Sequence, residues 1–445
     1  MRSRLVDDPG VRPQFAPRIV IPGATMRQWR VRPVAVVQLA IASLFVAQLG
    51  RIPFLNTSDR AAPLLATDVL VLAVIAVGGI AGILARSVKV DRVGGLALLF
   101  AAVGAFMTLL AIPRYGLTGF EIVISLAYLA RWTAYFLVYL VVINVVKASD
   151  VSGIWRTLER TILAFSAFGL VQAAFIPHFA QRIFPNDTEG NEWDQQGYRL
   201  VSTVLDPNIA GAMILLVLLV QIAQLAGGSR QAIWKPFLLF SALVATLSRS
   251  AFVGLLVGAA IILAVYGVSR RLLRVAALIG VLVLAALPKI VAFAQSYNKL
   301  RIDGSALTRL TMWLKALRIF SDHPVFGIGF NTFAFVQERY GYVRLGRGSY
   351  ALDGGLIFIA VMTGLVGVAL YVGIISVVVS RCRRVWRDAG TSPEWRALAA
   401  GIGAGAVAIV VNSLFINSLL TSFVMEMLWI FWGLAFVMAR DRASA

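Results

Sequence analysis

Pro236-Phe-Leu-Leu-Phe-Ser-Ala-Leu-Val-Ala-Thr-Leu-Ser-Arg-Ser-Ala-Phe-Val-Gly-Leu-Leu-Val-Gly-Ala-Ala-Ile-Ile-Leu-Ala-Val-Tyr-Gly267 is almost unbroken apolar sequence. A straight helix over it would measure about 48 Å, well beyond the roughly 30 Å hydrocarbon core of a bilayer. It must therefore turn back on itself. Its one cluster of polar residues is Thr246-Leu-Ser-Arg-Ser-Ala251, which reads as the turn of a tight helical hairpin with Arg249 at its tip. Ser248 and Ser250 suit such a turn as capping residues.

The rest of the chain repeats this pattern. Hydrophobic residues make up 59% and charged residues 14% of the 445, with a mean hydropathy of +0.83. Soluble globular domains do not have this balance. Apolar runs at 33–49, 63–85, 93–112, 119–146, 160–184, 203–226, 233–247, 250–268, 272–288, 352–380, 396–419 and 421–439 predict an all-α polytopic membrane protein of about twelve transmembrane helices. A large loop, 289–352, separates the ninth from the tenth.

A net charge of +20 would suggest nucleic acid in a soluble protein. Here its distribution reports topology instead, and no nucleic-acid partner is expected. With the N-terminus inside, Arg2 to Arg32 and alternate loops (Arg86, Lys89; Lys147, Arg156; Arg230, Lys235; Arg270, Arg271; Arg381 to Arg387; Arg440) gather well over half of the 41 lysines and arginines on one side. The positive-inside rule then sets both termini in the cytoplasm. The expected organisation is a basic cytoplasmic arm (1–32), one membrane domain (33–439) with an uncleaved first span, and a short tail (440–445). The 185–198 loop falls outside and is acidic. Cys382, the only cysteine, is expected in a cytoplasmic loop, which excludes an intramolecular disulfide and a cysteine metal site. His178 and His323 lack ligand-like spacing, so no metal or cofactor is expected.

The 289–352 loop breaks the charge rule, being extracytoplasmic yet basic, so it calls for an anionic partner. Residues 306–320 read as an amphipathic helix with Leu310, Trp313, Leu314, Leu317 and Phe320 in a stripe of helical period. That stripe is expected to pack on the membrane domain. Arg309 shares the Trp313 face, where a cation against apolar surface must find a counter-ion. Arg318 can pair with Asp322 one turn on.

Other ionisable residues fall toward the same outer side. Asp206 precedes Pro207 and suits a helix start, as does Asn208. Arg199, in the preceding loop, is either a solvated cation or a second anion contact. Asp353 lies where the tenth span begins, and serves there either as a helix cap or as a general base. Asp68, Arg131 and Glu426 fall within spans, which flags function, although a structural ion pair of Arg131 with Asp68 or Glu426 explains them equally well.

Six pieces of this sequence come in a telling order: Arg199-x-x-x-Thr-x-x-Asp-Pro-Asn208, Leu247-Ser-Arg-Ser250, Arg309-x-x-x-Trp313, Asp322-His-Pro-Val-Phe-Gly-Ile-Gly-Phe330, Asp353 and Thr363-Gly-Leu-Val-Gly367. Over roughly 199–367 the chain resembles the O-antigen ligase and Wzy-type polysaccharide polymerase superfamily of bacterial envelope glycosyltransferases. The resemblance implies a type C glycosyltransferase-like fold in the bacterial inner membrane. It also implies metal-independent transfer of a glycan from a polyprenyl-pyrophosphate donor to a glycan acceptor on the outer face. Membrane lipids and a chain-length regulator are the further partners it suggests. Arg249, Arg309 and Arg199 would hold the pyrophosphate and Asp353 would act as base, with Trp313, Asp68, Glu426 and Arg131 in support. Ligases carry histidine at the Asp353 position, so the aspartate points to a polymerase, with ligation to lipid A core or protein as the alternative. A lipid-linked-sugar flippase or other transporter is a separate reading, and would show discontinuous helices near the midplane.

Overall fold

The computed structural model describes residues 33–52, 56–57, 60–61, 64–84, 88–184, 197–229, 232–268, 304–342 and 352–443, with isolated positions between 270 and 288. The basic arm, most of the acidic 185–198 loop, most of the ninth apolar run and the flanks of the basic loop lie outside the described residues.

The described chain is helical apart from two short antiparallel strand pairs, Arg51–Ile52 with Leu64–Leu65 and Asn56–Thr57 with Arg60–Ala61. Its helices are α1 (Pro33–Ser43), α2 (Ala66–Leu84), α3 (Arg92–Tyr115), α4 (Gly119–Val145), α5 (Val151–Phe175), α6 (Phe179–Ile183) and α7 (Pro207–Ala226). They continue with α8 (Trp234–Thr246), α9 (Arg249–Tyr266), α10 (Gly304–Asp322), α11 (Phe333–Arg339), α12 (Gly355–Arg387), α13 (Pro393–Asn412) and α14 (Ser422–Ala443). Eight are long and apolar enough to cross a membrane: α3, α4, α5 with its lead-in from Ala148, α7, α9, α12, α13 and α14. The apolar helices α1, α2 (over Ala66–Ala81) and α8 are shorter, so the count of twelve spans rests partly on the 272–288 run.

Several boundaries move from their expected places. α5 starts well before residue 160 because Trp155, Leu158 and even Glu159 are buried against neighbouring helices. It ends at Phe175, ahead of Pro177. The span expected over 396–419 is shorter: α13 runs Pro393–Asn412, and 413–421 form a turn. Cys382 lies inside α12, buried, rather than in a loop. The 236–267 segment does turn at Leu247-Ser248, but α8 and α9 each pack along α7 and not along each other, so it is no tight hairpin.

One end of the bundle is stitched by buried polar pairs. Arg381 donates to Asp91 and to Tyr139 Oη (2.9 Å), Lys235 pairs with Glu159 (2.9 Å), and Arg440 caps the carbonyls of Ile143 and Val146. The opposite end carries the basic loop, and its attachment is unusual. α12 is broken at Gly364 (φ 65°, ψ −167°), about 14 Å along from its start at Gly355. An unbroken helix would run Leu365 N–H to Val361 O and Val366 N–H to Met362 O. Those four groups are instead taken by the segment after α10. Ile328 and Gly329 donate to Val361 O and Met362 O (both 3.0 Å), while Leu365 and Val366 donate to Pro324 O (2.8 Å) and Val325 O (3.1 Å).

This docking explains the glycines on both sides. A Cβ on Gly364 would sit 2.1 Å from Val325 O, and one on Gly327 (φ 72°) 2.5 Å from Val361 O. Phe330 then donates its N–H to Thr108 Oγ1 (2.8 Å) and packs edge-on to Phe100 (6.3 Å). Farther along, Arg339 clamps both oxygens of Glu121 (3.0 and 2.8 Å) and the carbonyl of Tyr115. The basic loop is thus threaded into the membrane domain, not laid over it.

Gly364→Ala therefore meets both a left-handed backbone and a backbone clash, and should cost at least about 1–3 kcal/mol. A melting temperature several degrees lower in detergent is expected. Gly95→Ala, at a helical position with open space around it, should be neutral or stabilising.

Candidate functional site

α10 ends up beside the start of α12, and three bonds hold the junction. Arg309 Nε donates to Asp353 Oδ2 (2.8 Å), and Trp313 Nε1 donates to the carbonyl of the same residue (2.7 Å). Asn417 Nδ2 donates to Leu352 O (2.7 Å) from the α13–α14 turn. Gly354, at φ 109°, lets the chain bend sharply here, since a Cβ would approach Leu414 O at 3.0 Å and Trp313 Nε1 at 3.3 Å. The α12 N-terminus is then closed by Gly355 N–H to Ile416 O (3.1 Å) and Leu356 N–H to Ser413 O (3.4 Å).

Asp353 is therefore not a helix cap. The cap position is Gly354, which carries no side-chain bond, and the Asp353 carboxylate is turned away to Arg309. With Asp353 43% and Arg309 25% exposed, the pair adds little stability, on the order of 0–1 kcal/mol. What it supplies is orientation: Oδ2 is occupied, and among the described residues Oδ1 takes no hydrogen bond.

Beside this junction stands a second set of residues. Asp206 caps α7, its Oδ1 accepting from Asn208 N (2.7 Å) and Ile209 N (3.1 Å). Arg199 donates through Nε to Thr246 O (2.9 Å) at the end of α8, and through Nη2 to Asn208 Oδ1 (3.4 Å). Ser248 Oγ also donates to Asn208 Oδ1 (3.2 Å), lies 3.2 Å from Ser250 Oγ, and Ser250 accepts from Asn412 Nδ2 (3.1 Å). Arg249 sits between these serines at the first position of α9, with its side chain exposed. Burial pushes the Asp206 carboxyl above the usual carboxylate range; the two capping N–H groups and Arg199 pull it down, and the charge of Asp353 pushes it up. Asp353 is thus close enough for its charge to act on Asp206. The Asp-Pro-Asn, Leu-Ser-Arg-Ser, Arg-x-x-x-Trp and Asp353 segments all meet at one end of the bundle.

Asp68, Arg131 and Glu426 form a different cluster. Arg131 Nη2 pairs with Asp68 Oδ2 (2.9 Å), which also accepts from Leu65 N (2.9 Å), while Tyr135 Oη donates to Asp68 Oδ1 (3.0 Å). Glu426 is 0% exposed, and its carboxylate has no hydrogen-bond partner among the described residues. These bonds join α2 to α4 and do not involve the Arg309–Asp353 pair. Asp322, expected to pair with Arg318, accepts instead from Tyr340 Oη (3.0 Å), and burial with that bond pushes the Tyr340 hydroxyl up to about 12.

Two participants do not stand out in the sequence. Asn412 and Asn417 fall inside an apolar run, although two amides in such a stretch signal buried polar contacts.

Residues 237–372 match the family model for the O-antigen ligase domain. That stretch, carrying Arg249, Arg309, Trp313 and Asp353, places the resemblance with the O-antigen ligase and Wzy-type superfamily, whose members are membrane glycosyltransferase-like enzymes. The Arg199–Asn208 segment lies outside the match. No curated protein matches the chain.

Trp313→Phe removes one neutral hydrogen bond, worth about 0.5–1.5 kcal/mol. If that bond anchors the junction, amide exchange across Leu352–Phe358 should quicken roughly two- to tenfold. Unchanged exchange would mean that the Arg309 bond and the α13–α14 turn suffice to hold Asp353.

Proposed function

With the O-antigen ligase match over residues 237–372 as premise, we propose that this protein polymerises oligosaccharide repeat units carried on polyprenyl pyrophosphate, at the outer face of a bacterial inner membrane. The observation that carries this reading is the Arg309–Asp353 pair, a cation and a half-exposed carboxylate joined at the mouth of α12.

In the proposed reaction Asp353 Oδ1 takes the proton of an acceptor sugar hydroxyl. The alkoxide oxygen forms a bond to the anomeric carbon of the donor glycan, and the bond from that carbon to the pyrophosphate oxygen breaks with inversion. Its electron pair leaves on the polyprenyl pyrophosphate. Arg249 and Arg309 stabilise the charge that develops there, because a guanidinium is planar, permanently charged and able to hold two phosphate oxygens without a metal. Arg309 serves twice, since its Nε orients the base while its terminal nitrogens hold the phosphate. Arg199, whose side chain donates to Thr246 O and Asn208, acts as a positioning residue for the turn that carries Arg249. Trp313 positions Asp353 through its backbone. The Asp68–Arg131 pair gives support by holding α2 against α4, with Glu426 of α14 buried near Asp68.

Aspartate rather than histidine at position 353 favours polymerisation over ligation. A transporter would use a broken helix as its binding site, and α12 is broken. Here, however, the freed backbone groups are already paired with residues 324–329, leaving nothing to coordinate a substrate. That supports interfacial chemistry over transport.

Purified protein supplied with lipid-linked oligosaccharide should release polyprenyl pyrophosphate and lengthen the glycan. Asp353→Asn keeps an acceptor for Arg309 but loses the base, so the rate should fall about 10²–10⁴-fold with the melting temperature little changed. Normal polymer laddering in that variant would put the base elsewhere. Arg249→Lys keeps the cation and loses the fork, and should also be strongly impaired while still inserting. Full activity there would reduce Arg249 to a headgroup anchor.

A further inference from the structure

α10 presents three faces, not two. Met312, Ala316 and Ile319 are buried against the domain, with Arg309, Trp313 and Phe320 partly covered beside them. Thr311, Arg318 and Asp322 form the polar side. Between the two run Leu310, Leu314 and Leu317, spaced i, i+4, i+7 and therefore on one face, and exposed by 50%, 62% and 48%. The rotation follows from the Arg309 and Trp313 bonds to Asp353, which turn the Met312 side inward. The predicted stripe is thus divided: Trp313 and Phe320 help to bury the helix, while its three leucines stay bare.

The bare face continues into other exposed apolar residues. Trp313 packs at a tilt beside Phe415 (ring centroids 6.4 Å), and Phe415 and Leu414 are themselves exposed. Beyond the loop insertion, Val325 and Phe326 are exposed. So is Leu365, which lies on a helix long and apolar enough to cross a membrane and donates its N–H to Pro324 O. Exposed apolar residues gathered on elements that adjoin one another mark an interaction site. Their place beside helices long and apolar enough to cross a membrane selects the partner.

We propose that α10 is an interfacial helix, seated with Leu310, Leu314 and Leu317 in the outer-leaflet boundary between headgroups and acyl chains. An apolar face flanked by cations has the form of a helix lying in the membrane plane. Trp313 stands at the edge of the bare face with its indole N–H satisfied, as interfacial tryptophans do. Arg318, on the polar side, reaches headgroup phosphate while its stem covers apolar surface. The seating holds Arg309 and Asp353 at headgroup depth, whatever chemistry they perform.

The full-length protein carrying Leu314→Cys or Arg318→Cys can be labelled with an environment-sensitive fluorophore, since the native Cys382 is buried. It is then reconstituted in phosphatidylethanolamine vesicles with a minority of phosphatidylglycerol. The Leu314 label should be quenched by nitroxide placed high on the acyl chain and shielded from aqueous iodide, with the opposite result at Arg318. Iodide quenching at both sites would overturn the proposal. So would shielding of the Leu314 label from both quenchers, which would mean that protein, a second copy included, covers this face. No readout depends on transferase activity, so the proposed function and this seating fail separately.

Discussion

The structure depends on an exchange of backbone hydrogen bonds. α12 gives up two of its own bonds at Gly364, and the segment from Pro324 to Gly329 supplies the four missing partners. In hydrocarbon each unsatisfied backbone group would cost several kcal/mol. The break and the insertion are therefore mutually obligatory: neither is stable alone. Because the inserted segment follows α10 directly, this exchange also determines where α10 can lie. Phe330 on Thr108 and Arg339 on Glu121 extend the attachment to α3 and α4.

With α10 placed, the remaining bonds at the candidate site follow at short range. Arg309 and Trp313 reach the side chain and the carbonyl of Asp353 from adjacent positions on one helix face. The α13–α14 turn closes the same junction from the opposite side through Asn417, and the neighbouring Asn412 reaches Ser250, beside Arg249. Few of these bonds are individually strong. Their value lies in fixing a half-exposed carboxylate against Arg309 without consuming both carboxylate oxygens, and the proposed transfer would draw on such preorganisation.

Much of this is legible in the order of residues. Apart from the ninth, the apolar runs, the break at Thr246–Ala251 and the helix over 306–320 correspond to elements of the structure, and Arg131 pairs with one of the two carboxylates expected for it. The departures have physical causes. Glu159 and Asn412 defeat run-based boundaries because a buried partner lets a polar group sit in an apolar neighbourhood, or lets an apolar run end early. Periodicity assigns the whole α10 stripe to the core because it identifies an apolar arc and cannot say how much of that arc protein will cover. Asp353 leaves capping and base roles open, since both favour a carboxylate before a helix.

Composition and periodicity alone determined that this chain is a helical membrane protein with a basic segment between long apolar runs, because hydrophobic length and charge are local properties that a bilayer reads directly. The glycines of Asp322–Phe330 and Thr363–Gly367 were visible as well, but not their meaning. Only the tertiary structure could decide that these two motifs complete each other's backbone, that Asp353 faces Arg309 instead of capping α12, and that three leucines of α10 remain bare. Each of those outcomes is a choice between partners far apart in sequence, and such a choice is made by which unsatisfied groups can be brought together at least cost.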